Sequence, residues 1–295
     1  MGLQKTDTRT ERALSIDMPD AVIGAIATGV DLSTPLDEAT FATLEDTFNE
    51  RSVLCIRDQK ISPQQFIDFA VRFGAVEENF LKHYSHPDHS PILLVSNIQK
   101  DGKDIGHADA GRVWHTDMSF TARPPRATLL YALEVPVRDG VVRGDTNFAS
   151  SAAAYDALPE ETKNKLDDLI VVHDVHGRRA KTGTGTQDNE IRKKQPKVEH
   201  PFVRVHPITG RKCLYVSPGE CIGVIGMADE EAVPLINDMA KRIPEERFRY
   251  RHKWRAGDVL MWDNCAVQHL ATFDYTWPEE RRLIWRITVG ATPTM

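Results

Sequence analysis

The run Asp258-Val259-Leu260-Met261-Trp262-Asp263-Asn264-Cys265-Ala266-Val267-Gln268-His269 decides how this chain folds. Its first half is a short apolar segment of strand-forming residues, entered from the turn signal Ala256-Gly257-Asp258. Its second half must fold back to deliver His269. The counterpart is Trp114-His115-Thr116-Asp117, whose Asp117 lies 269 − 117 = 152 residues earlier. On an extended strand His115 and Asp117 leave the same face, so one imidazole and one carboxylate can point at one centre. Bringing His269 to that centre requires remote strands to meet, as they do in a sandwich of sheets.

Other segments agree. PILLVSN (91–97), the stretch 113–120, ATLLYALEV (127–135), FVRVHP, KCLYVS, FRYRHKW and RLIWRITVG read as strands, as do AVIGAIATGVDL and SVLCIRD near the start. Residues 38–51 are amphipathic, and 62–74 form a helix that Ser62 caps, Pro63 opens and Gly74 ends, with Phe66, Phe69, Ala70 and Phe73 as a core stripe. Many short strands with a few flanking helices predict a mainly β fold with a jelly-roll (double-stranded β-helix) core, in one domain over 1–295. The polar residues 1–20 are expected as a loose arm. Residues 176–200, rich in Gly, Thr and charge, are expected as a long loop acting as a lid.

Composition is that of an ordinary globular chain, 41% hydrophobic and 27% charged, and a formal charge of −6 excludes general attraction to nucleic acid or anionic membranes. No stretch approaches the roughly 20 apolar residues of a membrane-spanning helix. The four cysteines form no C-x-x-C pair and the first residues carry no apolar run, which points to a reduced cytoplasm.

Two neutral imidazoles and one carboxylate on one face of an octahedral ion, with the other positions open, are a ligand set for non-haem ferrous iron. A zinc hydrolase can use the same three donors, and a non-catalytic jelly-roll binding module is a third reading. In Arg281-Arg282-Leu283-Ile284-Trp285-Arg286, strand alternation puts Arg282 and Arg286 on one face, where burial demands that each meet an anion; Arg281 is expected to pair with Glu279 or Glu280 at the surface. His200, just after the expected lid, is a candidate pocket residue.

Nearly the whole chain resembles the taurine and dichlorophenoxyacetate dioxygenases, the ferrous-iron, α-ketoglutarate-dependent enzymes. The likeness runs from ISPQQFIDFAVRFG (61–74) through SNIQKDGK, WHTDMSF, GDTNFASSAAAYDALP, HPITGRKCLYV and WRAGDVLMWDN to QHLATFDYTWPEERRLIWR (268–286). It implies that His115, Asp117 and His269 hold Fe(II), that Thr146 and Arg282 hold the distal carboxylate of α-ketoglutarate, and that O2 is consumed. It further implies that Arg286 meets the anionic end of a small organic substrate, a sulfonate or an aryloxy or alkyl carboxylate, with Lys82 and His83 on the opposite wall. Between Pro136 and Thr146 the chain carries about four more residues than the taurine enzyme. The resemblance is compatible with a dimer or tetramer.

Overall fold

A computed structural model describes residues 13–79, 81–109, 111–175 and 196–291. Its principal sheet has eight strands, in the spatial order Ser15–Asp17, Ala25–Thr28, Val53–Ile56, Val259–Asp263, Ala127–Glu134, Leu283–Val289, His89–Ser96 and Ser85–His86. All neighbours are antiparallel except Ala25–Thr28 and Val53–Ile56, which run parallel and are connected through the helix Glu38–Arg51.

The central strands are mostly apolar because the sheet is covered on both faces, with polar exceptions such as Thr128 and Arg286. Alternation sends Leu54, Leu129, Tyr131, Met261 and Ile287 to one side and Val53, Leu130, Leu260, Trp262 and Ile284 to the other. The first face is closed by the helices Glu38–Arg51 and Pro63–Val71. Asp37 caps one by accepting from the Thr40 amide at 2.8 Å, and Ser62 with Gln65 forms a reciprocal capping box on the other. The expected aromatic stripe is core: Phe73 packs on Phe41, Phe48 and Phe69 at ring separations of 5.1 to 5.8 Å.

On the other face lies a three-stranded sheet in the order Arg249–His252, Thr146–Ser150, Val267–Ala271. Phe148 and Tyr250 from it share a core with Trp262, and the Phe148 and Trp262 rings lie 5.5 Å apart. These facing sheets are the predicted jelly roll. A further sheet, Val198–Pro201, Ile170–His173 and Cys221–Val224, packs with the helix Asp229–Arg242 in a separate apolar cluster.

Several boundaries differ from expectation, and the helix expected to run to Gly74 ends at Val71 with Arg72 as its C-cap. Ser15–Asp17 is an edge strand on Ala25–Thr28, so the expected arm ends before it, and residues 1–12 lie outside the described residues. Most of the expected lid, 176–195, also lies outside them, while its last residues join the strand Val198–Pro201. The stretch 113–120 is not a strand: after a two-residue bridge at His115 it turns, with Met118 at a φ of 53°. No helix among the described residues is long and apolar enough to cross a membrane.

His173, at the end of Ile170–His173, is 1% exposed and packs against the rings of His200 and Tyr215. Burial lowers its pKa to about 3, and the neighbouring His200 and Arg204 push the same way. The unfolded chain binds this proton below about pH 6.5 and the folded chain does not, so stability is full above 6.5 and is lost as pH falls towards 3. Between pH 7 and pH 5 this one group costs about 2 kcal/mol. Denaturant titrations at the two pH values should show a smaller drop for His173→Gln than for the parent.

Candidate active site

Two backbone hydrogen bonds join His115 to His269, from the His115 amide to the His269 carbonyl at 3.2 Å and back at 2.8 Å. They set the imidazoles side by side, with ring centroids 4.1 Å apart. The Nε2 atoms of His115 and His269 lie 3.8 and 3.9 Å from Asp117 Oδ1, and the three donor groups fall within 4.8 Å of one another. Ligand bonds of about 2 Å let a single ion span such separations. All three residues are buried. The sequence thus named three residues that the fold brings together, although Asp117 arrives through a turn and not through strand alternation.

Polar contacts fix His115 and Asp117. His115 Nδ1 lies 2.7 Å from the Val113 carbonyl, which can only accept, so Nδ1 carries the proton and Nε2 presents its lone pair. The Thr128 hydroxyl donates to Asp117 Oδ2 at 2.7 Å and itself accepts from Asn264 Nδ2 at 3.2 Å. Thr116 Oγ1 donates to the Asn264 carbonyl at 2.6 Å, fastening the turn that carries Asp117 to the turn that leads into the His269 strand. Asp263 holds the second turn by accepting from the Cys265 and Ala266 amides, and its other oxygen meets His206 Nε2 at 2.9 Å. Burial by itself raises the pKa of Asp117, but Arg286, the two imidazoles and Thr128 outweigh it and hold the carboxyl well below its usual range.

His115 and His269 open on a cleft whose walls include Val95, Leu130, Phe273 and Tyr275, with Thr146, Arg282 and Arg286. Arg282 is 5% exposed; its Nη1 donates to the Gly144 carbonyl at 2.8 Å, and its guanidinium lies 5.7 Å from the Trp254 ring and 5.5 Å from the Tyr275 ring. It makes no ion pair among the described residues. Burial lowers its pKa, opposed by Tyr275, Asp145 and Asp274. Gly144, at a φ of 74°, gives the guanidinium its room, since a Cβ there would overlap the Arg282 head group and the Tyr275 ring. Arg286 Nη2 reaches Asp117 Oδ1 at 2.9 Å.

Other expected residues stand elsewhere. Lys82 and His83 sit in a single 3₁₀ turn, Lys82–Tyr84, and do not line the cleft. Lys82 is exposed and pairs with Glu78 at 3.4 Å, while the His83 ring rests on Tyr84 at 4.0 Å. His200 Nε2 meets the Thr121 carbonyl at 3.0 Å, away from the cleft lining. Arg281 pairs with Glu134 at 2.7 Å and not with Glu279 or Glu280, because Glu280 is taken by Arg138 and the Thr276 amide. Thr128, Asn264, Gly144 and Trp254 carried no signal in the sequence beyond lying in or near the motifs. A second trio, Cys55, His252 and Asp258, is equally close, but Arg57 already neutralises Asp258.

Residues 15–288 match the family described as taurine catabolism dioxygenase TauD, TfdA family. The chain is 33% identical over 251 residues to the α-ketoglutarate-dependent 2,4-dichlorophenoxyacetate dioxygenase of Cupriavidus pinatubonensis, covering 81% of this chain and 85% of that one. It is 29% identical over 283 residues to pentalenolactone F synthase of Streptomyces arenae, covering 92% and 93%. The crystal structure of AAD-2 in complex with Mn(II) and N-oxalylglycine superposes with a TM-score of 0.80 at 30% identity, over 96% of this chain and 99% of that one.

Replacing Thr128 by Val keeps the shape and removes the donor to Asp117. Loss of such a contact to a metal-binding carboxylate typically weakens affinity 10- to 100-fold, and calorimetric titration with Mn(II) should show a loss of about that size for Thr128→Val.

Proposed function

The chain belongs to the taurine catabolism dioxygenase TauD, TfdA family and is an Fe(II)- and α-ketoglutarate-dependent dioxygenase, and from that premise we propose that it hydroxylates a small anionic organic acid. His115, Asp117 and His269 would hold the iron, Thr146 and Arg282 the distal carboxylate of α-ketoglutarate, and Arg286 the acidic end of the substrate. Ferrous iron held there, with α-ketoglutarate and O2, supplies the chemistry that puts oxygen into a substrate C–H bond and releases succinate and carbon dioxide.

The observation that carries the assignment of roles is Arg282. A guanidinium this buried, with one carbonyl contact and no ion pair among the described residues, is costly unless an anion arrives. Its planar fork suits a carboxylate bidentately, and the Thr146 hydroxyl lines the same cleft. Asp117, held ionised, and the tautomer of His115 keep the donor set ready. The apolar walls at Val95, Leu130 and Phe273 exclude water from around the reacting carbon.

Arg286 supports the anionic substrate. It lines the cleft and reaches Asp117, whereas Lys82 and His83 do not line the cleft. Sulfonates and aryloxy or alkyl carboxylates both satisfy a guanidinium, and hydroxylation next to oxygen or sulfur leads to cleavage of the product. Zinc hydrolysis and a non-catalytic binding role are not favoured by the family relationship. Four buried free thiols suit a reduced cytoplasm, and a dimer or tetramer is the expected assembly.

Anaerobic addition of ferrous iron and α-ketoglutarate should give a weak visible charge-transfer band, and oxygen with the right acid should release succinate in proportion to substrate. A folded protein that gives neither would overturn the reading. Arg282→Lys should raise the Michaelis constant for α-ketoglutarate about 10- to 100-fold, since the bidentate pair is lost. Arg286→Ala should impair turnover of the acid while leaving slow, substrate-independent succinate release intact; exchanged phenotypes would reverse the two arginine roles.

A further inference from the structure

Thr146 begins the middle strand of the three-stranded sheet, and its backbone is registered with His252 on one side and Ala271 on the other. The position of its side chain is therefore held from both edges, and what remains free is the direction of the hydroxyl proton. Trp254 settles that direction. Its indole Nε1 donates to Thr146 Oγ1 at 3.1 Å, both residues being almost fully buried. An indole N–H can only donate, whereas a threonine hydroxyl has one proton and two lone pairs. With Nε1 on a lone pair, the hydroxyl proton points away from Trp254, and the cleft is where Thr146 meets open space.

The indole is itself fixed. Its ring meets His252 edge-on at 4.7 Å and 88°, and His252 Nε2 lies 3.2 Å from Asp258 Oδ2. Asp258 also accepts from Arg57 and from the Arg255 amide at 2.8 Å. The same indole ring lies 5.7 Å from the Arg282 guanidinium. One buried side chain thus touches both groups assigned to the distal carboxylate.

We propose that Trp254 is a positioning residue for the cosubstrate: it orients the Thr146 hydroxyl as a hydrogen-bond donor to the carboxylate that Arg282 holds. This rests on the assignment of Thr146 and Arg282 to α-ketoglutarate. Trp254 does not touch the carboxylate. It removes the hydroxyl's alternative of turning its proton inwards, so that a donor already faces the arriving anion.

The test is calorimetric titration of N-oxalylglycine, an α-ketoglutarate analogue, into the Mn(II)-loaded full chain. Trp254→Phe keeps an aromatic ring beside Arg282 and deletes the donor, and should weaken binding about threefold to tenfold, the range of one net hydrogen bond, with Mn(II) affinity unchanged. In a Thr146→Val background, Trp254→Phe should cause no further loss. Equal losses in both backgrounds, no loss at all, or a parallel loss of Mn(II) affinity would overturn the proposal. Arg282→Ala separates it from the assignment beneath it: if that variant binds the analogue as tightly as the parent, the assignment itself fails.

A readout on the unmutated chain keeps the proposal testable should Trp254→Phe not fold. A hydroxyl that donates to a carboxylate becomes a better acceptor. The Trp254 indole proton of the Zn(II)-loaded protein should therefore move downfield in the NMR spectrum when N-oxalylglycine binds. An unmoved resonance under saturating analogue would overturn the proposal.

Discussion

The two hydrogen bonds between the main chains of His115 and His269 are the contact on which the site depends. They join a turn to the strand Val267–Ala271, which is itself bonded to Thr146–Ser150, so one short ladder fixes two imidazoles and the Thr146 hydroxyl together. Side chains then complete what the backbone begins. Thr116 ties its turn to the Asn264 carbonyl, and Asn264 reaches Thr128, which holds Asp117. Thr116, Asn264, Thr128 and Asp117 are all buried and each is hydrogen-bonded to the next, which ties the two turns together.

The two arginines in the cleft differ in what they already have. Arg286 rests on the Asp117 carboxylate, and Arg282 has only a carbonyl. The second arrangement leaves a buried charge waiting for a ligand, and the surrounding structure sustains it with aromatic faces, the Gly144 carbonyl and backbone contacts to Asn97 and Ser96. Under the proposed roles, a dicarboxylate would meet this electrostatic demand.

Much of this was legible in the chain because strand alternation and helix capping are local. The segments 127–135, 258–264 and 282–290 read as strands and contain the strands Ala127–Glu134, Val259–Asp263 and Leu283–Val289, and Ser62, Pro63 and the Phe stripe marked the second helix with its packing face. The trio proposed to hold the iron, His115, Asp117 and His269, was named from residue type and spacing together with the family resemblance. What escaped depends on contacts between distant segments. The left-handed turn at Met118 has no glycine or asparagine to announce it. Glu134, the partner of Arg281, lies 147 residues away, while nearer carboxylates looked equally suitable. A bulge between Leu283 and Ile284 on the neighbouring strand resets the register there, which strict alternation could not foresee. Lys82 and His83 sit in a single turn of 3₁₀ helix and do not line the cleft, which neighbouring residues in the sequence could not reveal.

The strand order of the principal sheet bears on how the molecule is made. Leu283–Val289, late in the sequence, lies between Ala127–Glu134 and His89–Ser96, near the middle of the sheet and not at its edge. A chain emerging from the ribosome with its first 280 residues exposed still lacks the strand that joins the two sides. Val95, Leu130 and their neighbours must wait in the open for it, and pairings this remote form slowly. Safe passage through that interval, with unpaired apolar edges exposed, is a demand that synthesis places on the cell before the enzyme meets its first substrate.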